Sequence, residues 1–319
     1  MHTMPRTLIV KTSSLGDVIH NLPILADIHA HYPDMRFDWV VEDSFADIPA
    51  LHPAVDAVIP VAMRRWRRRW WAPSSWREIM AARRRLRERQ YDLVLDTQGL
   101  LKSALIASQS HGVRHGQDAV SAREPLAALF YQQKYAVPRG QHAVTRNRQM
   151  AALALGYAIP DTPADYGIAA PALPDMQLPS PYVVGLHATS RASKLWPLEH
   201  WTALGQQLSA RGVRLLLPWG SASEHQRALA IAAAVPQAVV LPHMGLAQLA
   251  SVLTGAKAAV GVDTGLVHLA VALGVPTVAI YTDTDPALTG VCAGLGRAVN
   301  LGGVGQVPDP AAVLDALKI

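Results

Sequence analysis

The chain has 319 residues, of which 50% are hydrophobic and 17% are charged, a composition that predicts two well-filled domains and argues against extensive disorder. Its formal net charge of +5 and pI near 9.5 favour an anionic partner. Charge alone does not distinguish among nucleic acid, phospholipid and nucleotide. The single cysteine, Cys292, excludes an intramolecular disulfide, and the lack of a signal peptide or of an apolar run of roughly 18 residues predicts a cytoplasmic protein that does not span a membrane.

The first strand and the turn after it predict a ligand site near the start of the chain. Residues 7–10 form a β-branched run typical of a parallel strand, and apolar residues recur with a helical period over 18–28. We therefore expect Asp17 to lie at the start of a helix, at the carboxyl end of the first strand. A first-turn carboxylate is also favoured by the helix dipole, so a purely structural role for Asp17 stays open.

Further strand-like runs at 37–41, 57–61 and 93–96, with a helical pattern over 76–90, predict a parallel sheet. The turn at 96–100, followed by Lys102, is a further candidate for the ligand site at the strand ends.

Residues 63–71 combine the densest positive charge in the chain with tryptophans. Arginine binds phosphates through a planar fork and tryptophan prefers the membrane–water boundary, so this segment predicts a surface for anionic lipid head groups. A nucleic-acid groove would use the same residue types. A solvated loop with the tryptophans tucked under it is the structural alternative.

A helix from about 142 to 155 is followed by a proline-rich stretch, 160–181, which predicts an interdomain connection. We place the first domain at residues 1–165 and the second at 166–319. The second domain repeats the architecture of the first domain without a repeat of its residues. Its predicted strands are 182–186, 213–217, 239–241, 258–262 and 277–281, and its predicted helices are 198–210, 224–234 and 266–273. The glycine-rich motifs of Rossmann dehydrogenases and P-loop NTPases are absent.

Two loops of the second domain, 185–194 and 261–268, each close an apolar strand and open a helical pattern. Helix N-terminal amides at the carboxyl ends of strands favour anions, and Thr264 and Gly265 are small enough to let a phosphate approach them. Lys194 would add a full positive charge. We interpret both loops as sites for a phosphorylated ligand, with helix capping by Asp263 and Thr264 and a solvated Lys194 as the alternative.

Five segments in this order and spacing form a specific combination: residues 11–18, 187–190, 194–197, 217–220 with Glu224, and 262–269. Together they resemble the lipopolysaccharide heptosyltransferases, above all the members that move heptose to the Kdo–lipid A core, and the resemblance runs from residue 7 to about 281. It implies an α/β fold of the GT-B type, with two Rossmann-like, doubly wound parallel-sheet domains facing a central cleft. It also implies an inverting, metal-independent transfer with the acceptor on the first domain and the donor on the second.

The resemblance assigns the donor, ADP-L-glycero-D-manno-heptose, to eight residues of the second domain: Thr189, Ser190, Lys194, Glu224, Asp263, Thr264, Gly265 and His268. The hydroxyls of Thr189 and Ser190, the charge of Lys194 and the amides at 264–265 would hold the diphosphate. Glu224 would accept from the ribose hydroxyls, Asp263 would meet the heptose or order the loop, and His268 would support Asp263. Ser190 departs from the threonine associated with this family but keeps the hydroxyl.

The acceptor, Kdo–lipid A, is assigned to polar and basic positions of the first domain: Ser14, Gly16, Arg64, Arg65, Lys102, Arg123 and Arg146. Inversion requires the acceptor hydroxyl to attack the face opposite ADP, and a carboxylate that takes its proton makes it a better nucleophile. Asp17 is expected to be this catalytic base, with His20 as the alternative. Lys194 and helix amides would stabilise the leaving diphosphate in place of a metal ion, since no metal-ligand cluster is evident in the sequence.

The resulting prediction is a monomeric, peripheral enzyme on the cytoplasmic face of the inner membrane, bound to its anionic surface, with no cofactor, no metal and no nucleic-acid partner. Two other functions stay open. A later heptosyltransferase would use a heptose of the core as its acceptor. A non-catalytic nucleotide- or nucleic-acid-binding function would account for the basic segment and the phosphate loops but would leave Asp17 without a catalytic role.

Overall fold

The computed structural model describes residues 5–172, 176–294 and 296–319, so Pro174 of the predicted connection lies outside the described part. The chain divides into two compact units, the first ending at Gly167 and the second beginning at Ile168. The sequence placed this division between 165 and 166. Each unit is built on one parallel sheet of six strands.

The first unit contains strands β1 (Arg6–Val10), β2 (Arg36–Glu42), β3 (Val55–Val61), β4 (Gln90–Asp96), β5 (His111–Gln117) and β6 (Gln133–Tyr135). Its helices are α1 (Leu15–Ile19), α2 (Pro23–His31), α3 (Asp47–Ala50), α4 (Met63–Arg68), α5 (Pro73–Arg87), α6 (Leu101–Ala107) and α7 (Ala143–Leu155), with 3-10 turns at Asp43–Phe45 and Pro125–Phe130. The strand order across the sheet is β3-β2-β1-β4-β5-β6. The chain therefore moves to one side of β1 first and to the other side afterwards.

The second unit contains strands β7 (Tyr182–Leu186), β8 (Arg214–Leu217), β9 (Val239–Val240), β10 (Ala258–Val262), β11 (Thr277–Tyr281) and β12 (Ala298–Gly302). Its helices are α8 (Leu198–Ala210), α9 (Ala222–Ala234), α10 (Leu246–Thr254), α11 (Gly265–Ala272), α12 (Pro286–Thr289) and α13 (Pro310–Leu317), with a 3-10 turn at Ala192–Lys194. The strand order is β12-β11-β10-β7-β8-β9. This is the same winding as in the first unit, with β7 in the place of β1.

The central strands are continuous apolar runs because helices cover both faces of a parallel sheet. Leu8, Ile9 and Val10 of β1 are fully buried, and every residue of β7, β10 and β11 is buried. Gly261 in β10 lets α11 approach the sheet, since a Cβ there would lie 2.5 Å from a methyl of Val267. The close approach brings the start of α11 to the carboxyl end of β10.

Two stretches of the first unit differ from the simplest sequence expectation. The helical period over 18–28 is split into α1 and α2, because Pro23 begins a new helix at its first position. The basic segment 63–71 is not a loop throughout, since α4 covers Met63–Arg68 and packs Trp66 into the core of the first unit. Trp70 and Trp71 follow α4 and remain 66% and 67% exposed.

A buried ion pair joins α2 to α7. Arg148 donates from Nε to Asp27 Oδ2 at 2.7 Å and from an Nη to Oδ1 at 2.9 Å, and both side chains are exposed by 10% or less. We expect Asp27→Ala to lower the free energy of unfolding by about 3–5 kcal/mol, because a buried guanidinium loses its carboxylate. Urea denaturation measures this loss.

The matched control is Glu88→Ala, which breaks an exposed pair with Arg84 at 3.9 Å. Exposed pairs contribute at most about 1 kcal/mol, so the control should unfold close to wild type. Equal effects of the two variants would contradict a structural role for the buried pair.

Within the described residues, no helix is both long and apolar enough to cross a bilayer.

Candidate active site

The first candidate site lies where β1 and β4 end side by side. These strands pair directly in parallel register, and the chain winds away from them in opposite directions. Doubly wound sheets bind their ligands at this topological switch point, outside the carboxyl ends of the strands. The segments 11–17 and 96–99, both singled out in the sequence, meet here.

Hydrogen bonds tie the two loops together. Gln98 Oε1 accepts from the backbone N–H of Thr12 at 2.7 Å and from its hydroxyl at 2.8 Å. Lys11 Nζ donates to the carbonyl of Thr97 at 3.0 Å. Burial lowers the pKa of the Lys11 ammonium, while the carboxylates of Asp17 and Asp96 act in the opposite direction. Sequence analysis assigned no role to Lys11 or Gln98, although both lie in segments that it identified.

Asp17 lies in the first turn of α1 and is half-buried. Its Oδ2 accepts from the backbone N–H and the hydroxyl of Ser14, both at 2.8 Å, so the structural role considered for Asp17 is present. Burial by itself raises the pKa of Asp17, but the Lys11 ammonium and the hydrogen bonds from Ser14 outweigh it and hold the pKa below its ordinary value. The group is therefore an ionised carboxylate at neutral pH.

Asp96, the other carboxylate at this edge, is fully buried. It accepts from the N–H of Gln98 at 2.9 Å, the N–H of Gly99 at 3.3 Å and the hydroxyl of Tyr131 at 2.7 Å. Burial raises its pKa. Asp96 orders the loop after β4 but is closed to a ligand, whereas Asp17 is open to one.

Three of the predicted acceptor-binding cations lie around the Asp17 loop. Lys102 Nζ donates to Ser13 Oγ at 3.0 Å, and Arg123 is close enough to lower the pKa of Asp17. Arg146 donates to the carbonyl of Ser121 at 3.1 Å. Burial, together with the charges of Arg139 and Arg123, lowers the pKa of the Arg146 guanidinium. These cations surround the accessible carboxylate of Asp17.

Arg139 completes this cation group and was missed in the sequence. Its Nε donates to the carbonyl of Ser121 at 3.4 Å, and its guanidinium also donates to the carbonyl of Ala122. Because Arg139 follows the last strand of the sheet in an irregular segment, no periodic pattern marked it.

The two arginines predicted on the basic segment differ in their surroundings. Arg65 is held between Asp43 Oδ2 at 2.6 Å and Glu78 Oε2 at 2.9 Å, so its charge is already compensated. Arg64, Arg65 and Arg68 all line a hollow of about 560 Å³, together with Glu42 and Asp43. Of the two predicted residues, Arg64 is the better placed to meet an anion.

The second candidate site lies at the switch point of the other sheet, where β7 and β10 pair directly. The loop after β7 carries residues 187–194, and the loop after β10 carries 263–265. Strand β11 is the other neighbour of β10, and the polar loop 282–285 that follows β11 begins at the same edge of the sheet. The two loops interpreted as phosphate sites are therefore adjacent in the structure.

Asp263 and Lys194 form an ion pair between these loops, with Nζ 2.6 Å from Oδ2. Thr284 donates its hydroxyl to the same oxygen at 2.5 Å, and Thr189 donates to the carbonyl of Asp263 at 2.9 Å. An ammonium has three N–H donors, so Asp263 can orient Lys194 and leave donors for a phosphate. Asp263 therefore pairs directly with Lys194, a contact that the sequence did not predict.

The loop after β11 holds the turn that carries Lys194. Ser193 donates its hydroxyl to Asp283 at 2.6 Å, and Thr282 donates its hydroxyl to the carbonyl of Ser193 at 2.9 Å. Sequence reasoning missed Thr282, Asp283 and Thr284. The sequence feature that could have identified these residues is the polar run 282–285, directly after the strand predicted at 277–281.

The remaining predicted donor residues lie around these loops. Thr264 is the N-cap residue of α11, and its side chain makes no capping hydrogen bond, which leaves the hydroxyl beside the helix N-terminus. Gly265 is the first residue of α11, and His268 is buried on the same helix. Ser190 is exposed in the loop after β7.

Glu224 lies in the first turn of α9, where its Oε2 accepts from the backbone N–H of Gly220 at 2.7 Å and of Ser221 at 3.2 Å. Next to it, the ring of Trp219 lies 4.2 Å from that of His225 and 5.1 Å from that of His243, measured between centroids. Glu224 therefore caps a helix beside an aromatic cluster.

No group of three or more His, Cys, Asp and Glu side chains that could hold a metal ion occurs in the part of the chain that the structure describes.

Two doubly wound parallel-sheet units, each with polar loops at its switch point, form the α/β architecture of GT-B glycosyltransferases. The chain belongs to glycosyltransferase family 9 (heptosyltransferase), whose family profile matches residues 79–309.

Relatives and solved structures agree with this family. The chain is 49% identical over 287 residues to lipopolysaccharide heptosyltransferase 1 of Escherichia coli K12, covering 89% of this chain and 90% of the relative. It is 50% identical over 286 residues to the protein of the same name from Pseudomonas aeruginosa, covering 89% and 81%. The structure of E. coli heptosyltransferase WaaC with ADP matches with a TM-score of 0.90 and 44% identity over 98% of this chain and 99% of that one.

Proposed function

We propose that the protein transfers heptose, with inversion, from ADP-L-glycero-D-manno-heptose to Kdo of Kdo–lipid A in the synthesis of the lipopolysaccharide inner core. The observation that carries the proposal is the 49% identity over 287 residues to lipopolysaccharide heptosyltransferase 1. Similarity to E. coli lipopolysaccharide heptosyltransferase 2 covers only 115 residues, at 36% identity. A later heptosyltransferase is therefore not favoured, and a non-catalytic binding protein would not need the accessible carboxylate.

The donor binds at the loops after β7 and β10. Lys194 and the hydroxyls of Thr189 and Ser190 contact the diphosphate, together with the amides at Thr264 and Gly265. Similarity to the E. coli WaaC structure with ADP-2-deoxy-2-fluoro heptose, at 43% identity, supports a donor of this kind.

The nucleoside lies near α9. Glu224 accepts hydrogen bonds from the ribose hydroxyls while its Oε2 keeps the helix cap, and Trp219 offers a flat surface to the base. Asp263 orders Lys194 and faces the heptose, and His268 supports the loop from α11.

Asp17 is the catalytic base. The acceptor hydroxyl attacks the anomeric carbon of the heptose, its proton passes to Asp17, and the bond from that carbon to the ADP oxygen breaks. Because Oδ2 is engaged by Ser14, the proton goes to Oδ1. The lowered pKa keeps Asp17 ionised and ready to accept it.

Lys194 and the helix amides stabilise the charge that grows on the departing diphosphate, the task that a divalent ion performs in metal-dependent transferases. Arg64, Arg65, Lys102, Arg123 and Arg146 contact the acidic Kdo and the phosphates of lipid A, with Ser14 and Gly16 lining the attacking sugar. We place the enzyme in the cytoplasm as a monomer, bound to the anionic face of the inner membrane through its basic segment.

Release of ADP, measured with Kdo–lipid A, with a heptosylated core acceptor and without acceptor, tests the assignment. Rapid release only with Kdo–lipid A, unchanged by EDTA, is the expected result. Preference for the heptosylated acceptor would contradict the assigned acceptor, and dependence on a divalent ion would contradict the assigned role of Lys194.

The acceptor contacts predict a separate effect for Arg64. Arg64→Ser should raise the KM for Kdo–lipid A by about one power of ten, since a charge-assisted contact is worth about 1.5–3 kcal/mol before solvent screening reduces it. ADP affinity should be unchanged, and the effect should shrink at high salt. Steady-state kinetics at two salt concentrations measure it.

Arg36→Ser is the matched control, since Arg36 lies at the amino end of β2, away from the switch point, and pairs only loosely with Asp56 at 3.6 Å. A similar rise in KM for both variants would show a general charge effect rather than a contact at Arg64.

A further inference from the structure

An open apolar groove lies between α4, α5 and α6 in the first unit, with a volume of about 710 Å³. Its floor is formed by core residues, among them Trp66, Leu86 and Ile106. Its walls carry large apolar side chains that remain in water, since Trp76 is 56% exposed, Met80 is 55% exposed and Leu105 is 45% exposed. The groove is therefore not filled by the protein itself.

The rim of the groove is cationic. Arg64, Arg67, Arg83 and Lys102 line it, and no aspartate or glutamate is among its described lining residues. The Nε of Arg83 is buried without a hydrogen-bond partner among the described residues. An unsatisfied guanidinium donor beside apolar walls suits a ligand with an anionic head and a hydrocarbon chain.

The helix α5 has the character of a segment that lies in a membrane interface. Its exposed face carries Trp76 and Met80, one turn apart, with Arg77, Arg83 and Arg84 beside them. The exposed indoles of Trp70 and Trp71 lie just before the helix. Tryptophan and arginine side chains that share one exposed surface favour the boundary between head groups and acyl chains, because the indole prefers that boundary and the guanidinium binds phosphate. A soluble anion such as a nucleotide would leave these apolar walls in water.

We propose that this groove takes one acyl chain of an anionic membrane phospholipid, whose phosphate lies on Arg67 and Arg83, the two rim cations that are not assigned to the acceptor. The proposal rests on the membrane association proposed above. Lys102 lines the groove and also contacts Ser13 in the loop that carries Asp17, so a lipid in the groove would bring the acceptor loop to the height of the head groups. That is where the Kdo of a membrane-anchored acceptor is found.

Leu105→Glu and Met80→Glu test the groove without removing any of its cations. Both residues are substantially exposed, so the variants should fold, and circular dichroism checks this. Binding to phosphatidylglycerol vesicles, measured by sedimentation, should weaken at least about tenfold, because each methylene that stays in water costs about a fourfold factor in binding. Leu153→Glu is the matched control, since Leu153 is 41% exposed on α7 and does not line the groove.

Two further measurements separate an acyl-chain site from its alternatives. A short-chain phosphatidylglycerol, used below its critical micelle concentration, should bind wild type at least about tenfold more tightly than glycerophosphoglycerol, which has the head group but no chain. Heptose transfer to chemically deacylated Kdo–lipid A should stay within about twofold of wild type in both groove variants.

Equal binding of short-chain phosphatidylglycerol and glycerophosphoglycerol would overturn the proposal and leave only surface electrostatics. Loss of transfer to the deacylated acceptor in the groove variants would also overturn it, because the groove would then belong to the acceptor sugar site. Absence of transfer by the wild-type protein would contradict the proposed function instead, independently of the result for phospholipid.

Discussion

Asp17→Asn should lower kcat at least about a hundredfold while ADP-heptose binds with unchanged affinity. An amide is nearly the same size as the carboxylate and can still accept from Ser14, but it cannot take the proton of the acceptor hydroxyl. General base catalysis contributes typically 10²–10⁴ in rate. Single-turnover transfer to Kdo–lipid A measures the chemical step directly.

Two controls accompany this variant. Calorimetry with ADP and a urea denaturation curve should both match wild type, which shows that the fold and the donor site are intact. The pH profile supplies a second control. Because Lys11 and Ser14 hold the pKa of Asp17 down, kcat/KM of wild type should stay level as pH falls to the ordinary range of a carboxyl and decline only below it. Near-normal turnover by folded Asp17→Asn would move the base to His20.

Lys194→Ala should weaken ADP-heptose binding and slow transfer, each by about one to two powers of ten. A charge-assisted hydrogen bond to a phosphate is worth on the order of 1.5–3 kcal/mol, and the charge on the diphosphate grows as its bond to heptose breaks. The change also leaves Asp263 without its cation, close to the proposed diphosphate site, which should add repulsion. Calorimetry gives the affinity, and single-turnover kinetics give the rate.

Lys257→Ala is the matched control, because Lys257 is exposed and immediately precedes β10, at the end away from the site. It should behave as wild type. If Lys194→Ala lies within about twofold of wild type in both measurements, Lys194 serves Asp263 and not the phosphate.

The loops that form both candidate sites could be located from the sequence because a simple rule applies to buried parallel strands. Continuous apolar runs at 7–10, 182–186 and 258–262 marked central strands, and the polar turns that follow them marked their carboxyl ends. The strand order then brings Asp17 to one switch point and Lys194 to the other. A local pattern identifies the loop, and the winding of the sheet decides which loops meet.

Contacts between loops far apart in the chain could not be predicted in this way. Lys194 and Asp263 are 69 residues apart, and Thr284 reaches the same carboxylate from a third loop. The sequence assigned Lys194 to the phosphate alone because helical and strand periods contain no information on such pairing. For the same reason it missed Lys11 and Gln98, whose contacts span 86 residues.

Secondary structure was missed where burial is incomplete. The strand β5 (His111–Gln117) reads as polar and glycine-containing, because it lies away from the sheet centre and only its last residues are buried. The helix α4 was not predicted because its arginines interrupt the apolar period, and Trp66 is its buried residue.

Mass spectrometry of Kdo–lipid A after incubation with ADP-heptose and the purified protein shows whether the protein transfers heptose. The acceptor should gain the mass of one heptose with wild type and gain none in the same time with Asp17→Asn. Absence of a heptosylated product from wild type, with Kdo–lipid A and with every other lipopolysaccharide acceptor, would contradict the proposed function and leave a nucleotide-binding protein without this activity.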